Sequence, residues 1–271
     1  MKKLSDAKKS VLGNMIIRQT MGGLRKEDKI KDRSDLRERI EEEYEKQNTK
    51  ETHKLDLTML DVSLVKDMSN LFNDYFTLKS IDVSTWDVSN VKDMRSMFEY
   101  CLLLESVDVS KWNVSNVKDM NTLFGGCSSL KSIDVSKWNM SNVEDMSYMF
   151  TGCKSLESIN VSKWDISKCR NMSSMFYGCS SLRSIDVSNW DVSNVEDMNS
   201  MFFKCSSLEY IDVSNWNVSN VEDMNRMFCV CISLKSIDVS NWDVSNVKSI
   251  IDMFYGCNFN YKKVNNGLIK I

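Results

Sequence analysis

The sequence predicts an α/β solenoid of about eight coils, each 26 residues long, and three observations carry that prediction. Tryptophan recurs at a constant step of 26 residues, phenylalanine keeps the same step, and short runs of alternating apolar and polar residues recur with them. A fixed period of this length is typical of a solenoid, in which each unit buries its apolar face against its neighbours. The periodic residues are Trp86, Trp112, Trp138, Trp164, Trp190, Trp216 and Trp242, with Phe72, Phe98, Phe124, Phe150, Phe176, Phe202, Phe228 and Phe254.

The first half of a unit predicts a β-strand. In the unit from Leu182 to Cys205, Ile185 and Val187 alternate with the polar Asp186, so the apolar pair points inward and the carboxylate outward. The pattern Leu-x-x-Ile-x-Val is also that of leucine-rich-repeat strands. Stacked units would join these strands into one parallel sheet at a spacing of about 4.8 Å, with right-handed winding.

The second half of the unit predicts a short helix on the opposite wall. Val195, Met198, Met201 and Phe202 are spaced i, i+3, i+6 and i+7, which places them on one helical face. Ser193 is followed three residues later by Glu196, as in a capping box. Two other units repeat this spacing, Ser141 with Glu144 and Ser219 with Glu222.

The residue before each periodic cysteine varies, and this variation predicts two kinds of helix end. Glycine stands there in several units, where a left-handed residue would suit a helix terminus. Tyr100, Lys204 and Val230 stand there in others. Because side chains disfavour positive φ, we expect the left-handed conformation in only some units. The glycines are Gly126, Gly152, Gly178 and Gly256.

Four segments are predicted. Residues 1–33 are a charged N-terminal arm, flexible or partly helical, with a docking arm for a partner as the alternative. Residues 34–51 form a capping helix that begins with Ser34 as N-cap and covers the open end of the solenoid. Residues 52–257 form the solenoid, with Leu60 replacing tryptophan in the first coil. Residues 258–271 form a C-terminal cap that includes a short closing strand.

Composition excludes several classes of protein. The 271 residues carry a net charge of -3, which provides no basic surface for nucleic acid. After Met1-Lys-Lys no long apolar run follows, so we predict neither a signal peptide nor a transmembrane segment. His53 is the one histidine, and no glycine-rich phosphate loop occurs. We therefore expect no enzyme, no catalytic residues and no cofactor.

The repeat Cys-Ser-Ser-Leu-x-Ser-Ile-Asp-Val-Ser-x-Trp-Asp-Val-Ser-Asn-Val-x-Asp-Met-x-x-Met-Phe resembles the BspA-like leucine-rich-repeat surface proteins over about three quarters of the chain. The resemblance implies a right-handed leucine-rich-repeat-type solenoid. It also implies a microbial cell-surface or secreted setting, and adhesion to a protein or glycan on a host or microbial surface. Because no export signal is visible, a cytoplasmic location is the alternative.

The cysteines at 101, 127, 153, 179, 205, 231 and 257 form a periodic column, to which Cys169 and Cys229 are additions. We expect small buried free thiols. Neighbours at strand spacing are within disulfide range, so pairing is the alternative. Zinc would need four converging ligands, and a linear column spreads them apart. The tryptophans, whose alternation points inward, are expected in the core rather than on a binding platform.

An acidic column is the candidate partner-binding face. The carboxylates lie at the outward strand position, where stacking at about 4.8 Å makes each neighbouring pair repel by roughly 1 kcal/mol in water. Two interpretations are open. Serine hydroxyls and nearby lysines offset the repulsion, or the column binds a cation weakly or a basic partner. Asn160 interrupts the column. Its members are Asp82, Asp108, Asp134, Asp186, Asp212 and Asp238.

The unit from Lys154 to Cys179 breaks the acidic pattern. Lys163, Lys168 and Arg170 make it locally basic. Neutral drift and a partner contact both explain such a break.

Three functions follow from these observations. The first is a non-catalytic, adhesin-like binding scaffold that uses the solenoid face. The second is an intracellular interaction scaffold or effector, favoured by free cysteines. The third is a structural assembly unit.

Overall fold

A computed structural model describes residues 29–47, 49–259, 261–264 and 267–270, and these form a solenoid of 26-residue coils with a helix over its first coil. The helices are α1 (Arg33–Lys46) and α2 (Thr49–Thr52). The strands are β1 (Lys54–Asp56), β2 (Ser80–Asp82), β3 (Ser106–Val107), β4 (Tyr261–Val264) and β5 (Gly267–Lys270). Most of the predicted N-terminal arm, and residues 260, 265, 266 and 271 of the predicted C-terminal cap, lie outside the described residues.

The strand wall is parallel, and its register equals the sequence period. Lys54 pairs with Ser80, and Ser80 pairs with Ser106. The sheet order is β1-β2-β3. Beyond β3 the wall continues through single hydrogen bonds between coils, such as Glu209 N–H to Arg183 O at 3.0 Å. The prediction of a parallel sheet is confirmed, although its regular strands belong to the first coils.

The opposite wall contains turns where short helices were predicted, and that prediction is wrong. The Met94–Met97 and Phe98–Cys101 turns are each closed by an N–H to C=O bond three residues apart. The third residues of these turns, Ser96 and Tyr100, have φ of 54° and 57°, as a type II turn requires. Positive φ at two positions four residues apart cannot occur in a right-handed helix.

Main-chain bonds between coils explain why the turns replace helices. The N–H groups of Met94, Ser96 and Phe98 donate to carbonyls of the next coil at 2.9–3.0 Å. A helix would close these bonds within one segment and leave nothing to join neighbouring coils. Single parallel bridges along this turn wall run without a break from Asp67 to Ser249.

The predicted capping boxes are replaced by local turns. Ser193 N–H donates to Asp191 Oδ1 at 3.0 Å, and Glu196 accepts a hydrogen bond from Arg170 of the preceding coil. The other two serines behave alike, since Ser141 and Ser219 donate their N–H groups to Asn139 and Asn217.

The left-handed position before the cysteine was predicted to vary, and this prediction is also wrong. All described units have positive φ there, including Tyr100, Lys204 and the β-branched Val230 at 63°. The inter-coil bond from Val230 N–H to Tyr255 O, at 2.7 Å, holds the turn regardless of the side chain.

The core is a set of columns along the coil axis. The phenylalanines stack with ring centroids 5.2–5.7 Å apart between adjacent coils. The tryptophans from Trp86 to Trp216 are buried, and each Nε1–H donates to a main-chain carbonyl 29 residues earlier, as Trp138 does to Val109 at 3.0 Å. The prediction that the indoles belong to the core is confirmed. Trp242, in the last coil, is partly buried.

Helix α1 packs over the first coil. Leu36 and Ile40 are fully buried, and Tyr44 meets Tyr75 edge-on at 5.4 Å between ring centroids. The predicted N-cap Ser34 is wrong, because Asp32 Oδ1 accepts the N–H groups of Ser34 and Asp35. An aspartate two residues earlier satisfies two of the free N–H groups of the first turn. At the other end of the chain, β4 and β5 pair antiparallel.

Replacing Val230 by glycine should stabilise the protein. A left-handed conformation costs a residue with a side chain about 1–2 kcal/mol. Glycine removes that cost and loses some burial and chain entropy, so we expect a net gain of about 1 kcal/mol in the free energy of unfolding. Chemical denaturation measures it. The matched control is Gly178→Val at the equivalent position, which should destabilise; equal stability of all three proteins would contradict the explanation.

Candidate functional site

The predicted acidic column lies on the strand wall, where all its members except the half-buried Asp212 are exposed, and each carboxylate is held by a serine two residues later. Ser110 donates both its N–H, at 3.1 Å, and its Oγ–H, at 2.7 Å, to Asp108 Oδ1. Asn160 accepts the same pair of bonds from Ser162 and so continues the arrangement without the charge. Asp82, Asp134, Asp186, Asp212 and Asp238 repeat the contact.

These hydrogen bonds favour the charged form of the acids. The serine contacts lower the pKa of Asp108, Asp134 and Asp212, and Lys111 and Lys137 lower the first two further. The carboxylates are thus stabilised by serine and lysine within the chain. In the described part of the chain, no three side chains of His, Cys, Asp or Glu converge as metal ligands would. The alternative of a cation on this column gains no geometric support.

The basic residues of the irregular unit have partners inside the chain. Lys168 Nζ donates to Asn142 Oδ1 of the preceding coil at 2.6 Å. Arg170 Nη1 pairs with Glu196 of the following coil, also at 2.6 Å. Lys163 lies in a different column, 26 residues after Lys137. The geometry therefore gives Lys168 and Arg170 a structural role and leaves a contact with a partner as a proposal.

A charge-alternating column beside the acidic one was missed. One exposed position per coil carries a charge whose sign reverses at every step. Lys235 Nζ pairs with Glu209 at 2.7 Å, which lowers the pKa of Glu209. The signal was present in the sequence at the 26-residue period. The members are Lys79, Glu105, Lys131, Glu157, Arg183, Glu209 and Lys235.

The turn wall carries a second acidic column, which was not predicted. Asp119 and Asp197 are partly buried in it, and burial is the main cause that raises the pKa of each. A backbone hydrogen bond from Asn121 or Asn199 lowers the pKa in part, and other carboxylates of the column raise it further. Asn171 interrupts the column, and its Oδ1 accepts Ser173 N–H just as Asp197 accepts Asn199 N–H. The column comprises Asp67, Asp93, Asp119, Asp145, Asp197 and Asp223.

The cysteine column is buried, as predicted, except at Cys257, which is partly exposed. Cys153 Sγ donates to Phe124 O, 29 residues earlier, at 3.2 Å, and its neighbours repeat this bond. Burial raises the pKa of Cys153 and Cys205 to about 12. All nine cysteines lie in the described residues and are free thiols, so the disulfide alternative is wrong. Each thiol of the cysteine column needs its proton for the hydrogen bond that it donates.

His53 belongs to the framework of the first coil. Its carbonyl accepts the N–H of Lys79 at 2.8 Å, its φ is 55°, and its buried Nδ1 has no hydrogen-bond partner. The helices in the described ranges are all too short or too polar to cross a lipid bilayer.

Comparison with protein families finds a family that matches most of the chain. The family described as "Mycoplasma protein of unknown function, DUF285" matches residues 40–159 and 148–266. These two matches extend over most of the 271 residues and over both walls of the solenoid. The chain belongs to this family.

Similar solved structures include leucine-rich-repeat proteins. A leucine-rich-repeat protein of T. pallidum is 17% identical, with a TM-score of 0.46 over 68% of this chain and 78% of its own. The TLR13–ssRNA13 complex is 15% identical, at 0.36 over 70% and 28%. An internalin of Listeria monocytogenes is 14% identical, at 0.33 over 74% and 62%. At these values no function transfers. Among curated proteins there is no match.

Asp197→Asn should stabilise this DUF285 protein at pH 7. Because the folded pKa of Asp197 is raised, its contribution to stability is largest when it is protonated and falls as pH rises through that pKa. Asparagine keeps the contact with Asn199 N–H and removes the charge, as Asn171 does naturally. We expect a higher Tm than wild type at pH 7, with the difference shrinking towards pH 3.5.

The matched control for that prediction is Asp134→Asn on the strand wall. The pKa of Asp134 is lowered, so its carboxylate stabilises the fold above its unfolded pKa and the variant should melt lower at pH 7. Thermal melts followed by circular dichroism at both pH values give the comparison. Changes in Tm of the same sign for both variants at pH 7 would contradict the opposite pKa shifts described for Asp197 and Asp134.

The thiols of the cysteine column should resist chemical modification in the native state. At pH 8 a thiol with a pKa near 12 is almost entirely protonated, and burial blocks the reagent. Cys257 is partly exposed with a pKa of about 11, so it should react first with Ellman's reagent. Denaturant should release all nine thiols. If several thiols of the cysteine column react rapidly with Ellman's reagent in the native state, the coils open and the prediction is wrong.

Proposed function

We propose that the protein is a non-catalytic binding scaffold that recognises a protein or glycan partner through its strand wall. The observation that carries this proposal is the preorganisation of the exposed polar columns. Each aspartate of the acidic column is fixed by two bonds from its serine, as Asp134 is by Ser136 at 3.1 and 2.7 Å. A surface that is already ordered loses little conformational entropy on binding.

The rest of each coil supports the same proposal. The thiols, indoles and most of the methionines pack in the core, and the thiols and indoles donate hydrogen bonds to the preceding coil. The partner must therefore recognise outward columns. These are the acidic column, the charge-alternating column, and the column of Lys111, Lys137 and Lys163. A broad patterned surface suits a macromolecule better than a small ligand.

The finer proposal is an adhesin-like role at a microbial surface, in keeping with the resemblance to BspA-like surface proteins. The partner is then a matrix protein, a host-cell glycan or another microbial surface. Lys168 and Arg170 remain candidate contacts only if a partner competes for Asn142 and Glu196, which now hold them.

A specific observation favours a second function, an intracellular interaction scaffold. Every thiol of the cysteine column donates a hydrogen bond to a main-chain carbonyl, and this bond requires the reduced sulfur. Reducing compartments keep thiols in that state. Protease treatment of intact cells separates the two functions: cleavage supports the surface role, and protection supports the intracellular one. An assembly unit, the third function, would self-associate in sedimentation.

Charge reversal on the strand wall should abolish partner binding. The variant Asp108→Lys with Asp134→Lys changes two adjacent members of the acidic column, and we expect affinity for an immobilised matrix protein or glycan array to fall at least tenfold, or about 1.4 kcal/mol. The matched control is Asp165→Lys with Asp191→Lys. These aspartates also bind serine N–H groups two residues on, but in another column. Equal losses in both variants, or none, would contradict the proposal.

A further inference from the structure

One coil replaces the small polar residues of the repeat with large apolar ones at a surface corner. In the coil of residues 78–103, Tyr100, Leu102 and Leu103 are 49%, 39% and 42% exposed. The equivalent of the two leucines is Ser128-Ser129 in the next coil, and serine pairs recur later in the chain. The fold holds the same turn with either sequence, so it does not require the leucines.

The apolar residues form one patch because of the coil stacking. Leu102 lies one coil above Phe76, which is partly exposed. Both residues occupy the same turn, since Phe76 N–H donates to Asp74 O and Leu102 N–H donates to Tyr100 O, each at 2.8 Å. The Tyr100 ring leans over the next coil, where a Cβ on Gly126 would lie 2.7 Å from Tyr100 Cδ1. We call Phe76, Tyr100, Leu102 and Leu103 the corner patch.

The charges around the corner patch are mainly negative. Glu41 of α1 accepts the Tyr75 hydroxyl at 2.7 Å, which places its carboxylate beside the residue that precedes Phe76. Glu99 accepts Asn73 Nδ2 at 2.9 Å. Asp74 lies near enough to Cys101 to help raise its pKa. The cations are Arg37, whose charge acts on Tyr75, and the exposed Lys79, three residues after Phe76. The three carboxylates outnumber these two cations.

We infer that the corner patch docks a basic, amphipathic segment of a partner protein. Apolar side chains of the segment would cover the two leucines and Tyr100, and flanking lysine or arginine would face the carboxylate rim. Side chains of this size, exposed together at a turn where three later coils carry serine pairs, mark an interaction site better than single exposed leucines do. This inference rests on the proposed function of a binding scaffold and supplies a partner class for a second surface.

The test uses the full-length chain and a fluorescein-labelled amphipathic peptide of leucine and lysine. Leu102→Ser with Leu103→Ser copies the native Ser128-Ser129 turn, so it should fold. We expect its affinity for the peptide to fall at least tenfold in fluorescence anisotropy, because the loss of two apolar contacts exceeds the 1.4 kcal/mol that a tenfold change requires. Wild-type binding should weaken with salt.

Matched controls separate this site from general adhesiveness. Ile232→Ser changes the position equivalent to Leu102 five coils away, where isoleucine is 45% exposed, and should leave affinity unchanged. A peptide with glutamate in place of lysine should bind weakly. Equal binding of both peptides, or equal loss with Ile232→Ser, would overturn the inference. So would wild-type self-association that L102S/L103S removes, because the occupant would then be a second copy.

The two proposals fail separately. Asp108→Lys with Asp134→Lys alters the strand wall and should not change peptide affinity, whereas L102S/L103S should not change binding to the strand-wall partner. If the strand-wall partner binds but the peptide does not, the inference about the corner patch is wrong and the scaffold proposal stands.

Discussion

The main-chain hydrogen bonds of the turn wall are the interaction on which the rest of the structure depends. Alternate N–H groups in each coil donate to carbonyls of the next, so a residue and its equivalent 26 positions later lie at nearly constant separation. This fixed offset orders the side chains into columns. It also tolerates left-handed residues in every unit, because the bonds hold the main chain whatever side chain it bears.

Side-chain donors add attachments in the opposite direction, from each coil to the preceding one. Tryptophan Nε1–H and cysteine Sγ–H donate to carbonyls 29 residues earlier, and asparagine Nδ2, as in Asn116 to Ser89 O at 2.7 Å, donates 27 residues back. Polar atoms that would be costly to bury thus become links between coils. Most of the variation between coils falls at outward positions, so the strand wall and the corner patch can differ from coil to coil without disturbing the core.

The sequence predicted the columns well and the turns poorly. Period and alternation were enough for the register of Lys54 with Ser80, for the buried indoles and for the free thiols, because burial imposes the same side chain in every unit. Helices were predicted from the spacing of Val195, Met198 and Met201, but successive four-residue turns produce nearly the same spacing. The polar residues among them, rich in Asn, Asp and Ser, favour turns over helix. Ser200, left-handed at φ 55°, has no sequence signal at all, and the outward charge-alternating column was readable but overlooked.

The charge-alternating column restricts how such a protein can change length. Excision of one coil between Lys79 and Lys235 would bring two like charges together, whereas excision of two would keep every neighbour opposite. Each mismatch on the surface is small, of the order of 1 kcal/mol or less. Within this column, a rod of this kind can therefore grow or shrink by pairs of coils without bringing like charges together, and internal duplications of an even number of repeats are the ones that this column would favour.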